Sequence, residues 1–386
     1  MIDSTVTWLR ELVAFQSVSS HGNLDIAECV AARLSDVGAR VELLPNRAGD
    51  KANVYATLGP DTDGGIVLSG HLDVVPVADQ DWSTNPFELT AIGDRLHGRG
   101  SCDMKGFIAA CLDLAPVFAE AATARPVHFA FTYDEEVGCL GGRALVESLA
   151  GRATRPSVAL IGEPTGMGIV NGHKGCCEYS ARFSGLAGHG SAPNQGVNAV
   201  EYAVRYVARL LALADELKHR APETSPFDPP WTTINVGEVR GGVAHNVIPS
   251  TAEVDWEMRP VQADDAEFVK AHLANYVRDE LLPAMRAVHA DAGIEVKTIG
   301  EVVGLTPRGN NEAHAIVAEL TGHDDAHTVP FSTEAGLFQQ LGLSVVVCGP
   351  GHIAQAHKAD EYLERDQLAR CRDMLLALSE TLRTSQ

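Results

Sequence analysis

Cysteine pairs, basic residues and long apolar runs are all scarce in this sequence, and each shortage excludes something. The eight cysteines, at 29, 102, 111, 139, 176, 177, 348 and 371, show no CxxC spacing. A chain of 386 residues has no need of a disulfide framework, so they read as small apolar fillers kept reduced, Cys102 beside Asp103 included. Lysine and arginine number 30 against 51 acids, a formal charge of −21. That leaves no basic patch to neutralise phosphates and excludes nucleic acid as a partner. The acidic surplus reads first as solubility, and it also steers a cationic small substrate inward. No apolar run is long enough to span a bilayer, and the N-terminus has no signal-peptide pattern. An amphipathic helix over residues 5–15, capped by Ser4, is expected there instead, with the cytoplasm as the expected compartment. Low-complexity linkers and repeats are absent too.

What is present suits an α/β enzyme. The length predicts two domains. Short apolar runs closed by glycine or proline mark buried parallel strands, and the chemistry-bearing residues follow them. Residues 65–69 run into Gly70 and His71, with Asp73 two further on; residues 127–132 open into Asp134, Glu135 and Glu136; residues 158–161 stop at Gly162, Glu163 and Pro164. Asp103 lies in a glycine-rich loop before a helix predicted over 107–118, and His357 stands near the C-terminus. In open α/β sheets, ligands collect beyond the carboxyl ends of the strands. Two imidazoles with several carboxylates form the ligand mixture of a two-zinc hydrolytic site.

After Gly175 the texture changes. Residues 177–183 alternate like a half-exposed antiparallel strand; a long helix over 198–220, strands over 232–239 and 250–258, and a helix over 263–278 follow. This is an α+β sandwich of ferredoxin-like type. The α/β texture returns from about Lys297. The expected architecture is therefore α/β, a mixed, largely parallel catalytic sheet over residues 1–174 and 288–386. An α+β ferredoxin-like lid or dimerisation domain is inserted over 175–287.

The motifs His71-Leu-Asp73, Gly98-Arg-Gly-Ser-Cys-Asp-Met-Lys-Gly106, Asp134-Glu-Glu136-Val-Gly, Gly162-Glu-Pro164, Gly188-His189-Gly-Ser and His357-Lys-Ala-Asp-Glu-Tyr together resemble the dinuclear-zinc family of aminoacylase, carboxypeptidase G2 and succinyl-diaminopimelate desuccinylase. Ser332-Thr-Glu-Ala335, Cys348-Gly-Pro-Gly351 and the stretch ending at Tyr362 are similar to the acetylornithine deacetylase branch. Ser101 and His97 depart from that branch's usual threonine and tyrosine, at positions that bear no ligand.

The resemblance implies two Zn2+ per subunit, with Co2+ or Mn2+ as substitutes. His71 and Glu163 would hold one ion, Glu136 and His357 the other, and Asp103 would bridge. Asp73 is expected to accept the free N–H of His71, and Glu135 to act as general base. The resemblance gives His189 the carbonyl-polarising role, across a homodimer, and puts Asn246 and Arg259 at substrate-facing places, although an internal ion pair is the competing reading for Arg259. The implied activity is hydrolysis of N2-acetyl-L-ornithine to acetate and L-ornithine in arginine synthesis. A desuccinylase, a broader N-acyl-amino-acid deacylase or carboxypeptidase, and a non-catalytic binding relative are the alternatives. His128 reads as a satisfied core histidine, and His173, His245 and His352 as loop residues.

Overall fold

The computed structural model describes residues 2–383. The chain divides into two compact units. The first takes the residues up to 172, then 305–328, and the residues from 333 onward; the second takes His173–Gly304 and Val329–Ser332.

The first unit is built on an eight-stranded sheet. Its centre is the run Val127–Thr132, Ile66–His71, Val158–Ile161 and Ser344–Val347, all parallel. Their residues are buried almost without exception, as expected for strands covered on both faces. Ala52–Leu58 and Arg40–Pro45 extend one side antiparallel, and Ile169–His173 begins the other. Helix Gly106–Ala121 is apolar nearly all round and correspondingly buried. Phe107, Ile108 and Phe118 join Leu68, Phe129 and Phe131 in one hydrophobic core, where each such side chain contributes about 1.5–3 kcal/mol. This packing fixes the carboxyl ends of the four central strands and the start of that helix as one rigid edge.

The expected N-terminal helix is Asp3–Ala14, but Ile2 precedes it without a side-chain cap. Ser4 lies inside the first turn and does not cap it. The apolar face of Leu9, Leu12 and Val13 outweighs the missing cap bond.

The second unit is a four-stranded antiparallel sheet in the order Thr233–Gly241, Thr251–Arg259, Cys176–Ser184, Gly293–Val302. Helices Ala199–Lys218 and Ala263–Tyr276 share its core. Ala252, Val254, Trp256 and Met258 are buried on one face, as their alternation predicts. Asn198 caps the long helix by accepting the N–H of Glu201. The unit extends beyond the expected limit at 287. Gly293–Val302 pairs antiparallel along the whole of Cys176–Ser184 and completes a strand–helix–strand–strand–helix–strand unit. Lys297 therefore lies in this sheet and not in returning α/β texture. Composition did not separate this strand because half of it, Glu295 to Ile299, is exposed.

Candidate metal centre

His71 closes the strand Ile66–His71 and is fully buried. Its Nδ1–H donates to the main-chain oxygen of Asp73 at 2.9 Å, which leaves the Nε2 lone pair for a ligand. The Asp73 carboxylate was expected to take this bond. It stands farther off, at 3.7 Å, and does something else. It accepts the N–H of Glu135 at 3.0 Å, the N–H of Glu136 at 3.3 Å and the Ser19 hydroxyl at 2.7 Å. Asp73 thus holds the turn that carries the two glutamates. The spacing His-x-Asp could not reveal a bond to a segment some sixty residues away.

Asp103 sits in a loop that leads into helix Gly106–Ala121. Its Oδ1 is 3.0 Å from His71 Nε2 and its Oδ2 is 3.3 Å from His357 Nε2. One carboxylate therefore faces an imidazole with each oxygen. Glu163 Oε1 lies 3.7 Å from His71 Nε2, and Glu136 Oε2 lies 3.0 Å from His357 Nε2. Ligand atoms of His71, Asp103 and Glu136 fall within 4.8 Å of one another, as do those of His71, Glu135 and Glu163. The Oε1 of Glu135 accepts the thiol of Cys139 at 3.3 Å.

So many acids in one buried place disturb their proton equilibria. Burial pushes the Glu163 carboxyl well up, with the charge of Asp103 adding and that of His71 opposing. Burial likewise raises Glu136, and lifts Glu135 to about 8 with neighbouring carboxylates contributing. Asp103 goes the other way: burial opposes, but hydrogen bonds from His357 and His71 hold it well below the usual range. His357 is raised to about 10 by its bonds to Asp103 and Glu136. His71 is raised well above its ordinary value against its own burial, by Asp103 and Glu163. The cluster thus draws positive charge onto both imidazoles. Divalent cations meet the same demand with neutral imidazoles and ionised carboxylates, so the donor set fits a metal pair.

Two acids inside the sequence motifs, Glu361 and Glu334, have roles that the motifs alone did not reveal. Glu361, in the His357 motif, accepts the N–H groups of Gly100, Cys102 and Asp103 at 3.0, 2.9 and 3.0 Å. It shapes the loop that presents Asp103. Glu334, in the Ser332 motif, accepts the hydroxyls of Ser69 and Thr132 and ties two strand ends together. The place of these acids inside two of the motifs was the available signal. Lys51 is a third omission: it pairs with Asp134 at the start of the glutamate turn. Cys102 is a buried thiol pushed well up by burial, as a filler should be.

The remaining expected residues lie in the second unit. His189 is exposed, with Nδ1 2.8 Å from Ser191 Oγ on the two-residue strand Gly188–His189. Asn246 is exposed, and its carbonyl accepts the N–H of Gly190, so the two loops are fastened to each other. Arg259 donates to Glu257 at 2.7 Å. Cys176, Glu178 and Glu257 lie within ligating distance of one another on this sheet, but Arg259 already supplies the cation to Glu257. His128 is buried at 2.9 Å from Thr57 Oγ1, and burial drops it to about 4. His173 ends the strand Ile169–His173 and lies in no loop.

Residues 67–381 match the description of peptidase family M20/M25/M40. The chain belongs to that family. It is a metal-dependent hydrolase.

Among curated relatives, it is 36% identical over 372 residues to acetylornithine deacetylase of Myxococcus xanthus, covering 95% of this chain and 94% of that protein. It is 33% identical over 374 residues to acetylornithine deacetylase of Shigella sonnei, with the same shares covered. Among solved structures, an M20 metallo-carboxypeptidase from Sulfolobus solfataricus superposes with a TM-score of 0.78 at 17% identity, covering 99% of both chains. A dinuclear metal-binding M20 peptidase from Bacillus subtilis gives 0.65 at 16% identity, covering 99% of this chain and 98% of the other. At such identities the structures speak for the fold alone.

Proposed function

We propose that this M20 protein deacetylates N2-acetyl-L-ornithine to L-ornithine and acetate, and that its site holds two zinc ions. The observation that carries the reading is the carboxylate of Asp103, with one oxygen toward His71 and the other toward His357. In this reading His71 and Glu163 would hold one ion, His357 and Glu136 the other, and Asp103 would serve both. Bound there, a metal pair supplies Lewis acidity to the amide carbonyl and to the attacking water.

The chain's own residues do the rest. Asp73 holds the main chain of Glu135 and Glu136 so that one glutamate ligates while its neighbour stays free for proton transfer. Glu135 takes a proton from the attacking water and returns it to the leaving nitrogen. His189 polarises the carbonyl oxygen, with Asn246 beside it, and contributes an oxyanion donor worth roughly 2.7–4 kcal/mol on the barrier. Arg259 pairs with the substrate carboxylate by exchanging Glu257 for it. A homodimer through the second unit, a cytoplasmic place and a role in arginine synthesis complete the proposal. The curated relatives' names support the substrate, and the charge of −21 suits a cationic δ-amine.

The test is a hydrolysis panel on zinc-loaded protein: N2-acetyl-L-ornithine, N-succinyl-diaminopimelate, N-acetyl-methionine and a dipeptide, compared by kcat/KM. Acetylornithine is expected to lead, with its turnover abolished by chelation. A higher kcat/KM for another substrate keeps the hydrolase and removes this assignment.

A further inference from the structure

The two imidazoles of the site are held very differently. His71 is a strand residue, 1% exposed. His357 lies in a loop beyond the short turn Ile353–Gln355, its side chain is 51% exposed, and its backbone sits in the left-handed region at φ 62°. Non-glycine residues adopt that conformation uncommonly, histidine more readily than most, so the bonds around His357 decide how firmly it is held.

The surroundings lead to a buried arginine that the proposed mechanism does not use. The main-chain oxygen of His357 accepts Gln80 Nε2 at 3.0 Å. Gln80 Oε1 accepts Arg99 Nη2 at 2.5 Å and Trp82 Nε1 at 3.2 Å, so both ends of its amide are used. Arg99 is 1% exposed, and its guanidinium lies 5.0 Å from the centre of the Trp82 ring. Its Nη1 pairs with Glu361 at 2.7 Å, and Glu361 accepts the N–H of Asp103. A second fastening lies alongside: Asp360 accepts the N–H and hydroxyl of Ser83 at 2.8 and 2.9 Å.

We propose that Gln80, itself held by the buried Arg99, is a positioning residue for the main chain of His357, so that the ion shared by His357 and Glu136 depends on it and the ion at His71 and Glu163 depends on it far less. The inference rests on the two-metal reading. His71 has its own support in its strand and in the Asp73 carbonyl, whereas His357 has no regular element. Without Gln80 the loop keeps its Asp360 fastening but loses the bond at the ligand itself, and the imidazole samples orientations that do not ligate. Partners that orient a metal ligand in this way are typically worth about 10–100-fold in affinity.

The experiment is stepwise zinc titration by calorimetry of wild type, Gln80→Met, His357→Ala and the double variant, with thermal melts of each. Gln80→Met keeps the length of the side chain and removes both the donor and the acceptor of its amide. The expected result is that it weakens one binding step about 10–100-fold and leaves the other within about threefold. Combined with His357→Ala it should add nothing further, because the ligand it positions is already gone. Wild-type affinities at both steps, equal loss at both, or an additive double variant each overturn the proposal. Wild-type protein that fails to bind two equivalents sinks the two-metal reading itself, a separate outcome.

Discussion

Glu135→Gln should retain both metals and lose turnover by about 10²–10⁴-fold, the usual range for a positioned general acid–base. Glutamine keeps the shape of the side chain and its place next to Cys139, but it cannot accept the proton of the attacking water or pass it to the leaving amine. The main-chain N–H at position 135 still donates to the Asp73 carboxylate, so the turn should stay folded and Glu136 should stay in place. Because the lost interaction belongs to the transition state, kcat should fall while KM changes little. Metal content and kcat measured on the same preparation check this, and wild-type turnover would remove Glu135 from the mechanism.

Asp103→Ala should empty both metal positions and abolish activity, a broader loss than removal of any other ligand. His357→Ala spares the ligands around His71, but Asp103 faces both imidazoles. Metal analysis after dialysis should therefore find both ions depleted; one ion fully retained would show that Asp103 does not bridge. The same cluster sets the stability of protein stripped with chelator. Glu135, raised to about 8, and Glu136 and Glu163, also raised, prefer the neutral form in the fold, so what they contribute at low pH is lost as pH rises through their folded values. His357, raised to about 10, likewise favours the fold below its ordinary 6.5 and loses that contribution toward pH 10. Asp103, held low, acts only at acid pH, where its contribution disappears as pH falls. Stripped protein should therefore show a Tm that falls from about pH 5 to pH 9, and zinc should raise that Tm most at the alkaline end. Scanning fluorimetry with and without zinc reads this, and a Tm rising with pH in the stripped protein contradicts it.

Most of the site was legible in the chain because its ligands follow local signals. An apolar run closed by glycine or proline is a strand end whatever lies around it, so His71, Glu136 and Glu163 could be placed on one sheet edge from sequence. The inserted unit was also legible, from the alternation of residues 252–258 and the long helix behind it. Its last strand was not, since Gly293–Val302 is defined by pairing with Cys176–Ser184 and not by its own composition.

What the sequence by itself determined is the chemistry available, two imidazoles and a set of carboxylates at strand and loop ends, together with the family to which they belong. What only the tertiary structure decided is how they are held. Asp73 steadies the glutamate turn in addition to offering its carbonyl to His71, Glu361 shapes the Asp103 loop, and Arg99 and Gln80 reach His357. The physical reason is range. Secondary-structure signals act over a few residues, whereas the bonds from Glu361 to Asp103 and from Gln80 to His357 join segments more than 250 residues apart, and only the packed fold brings such groups within hydrogen-bonding distance.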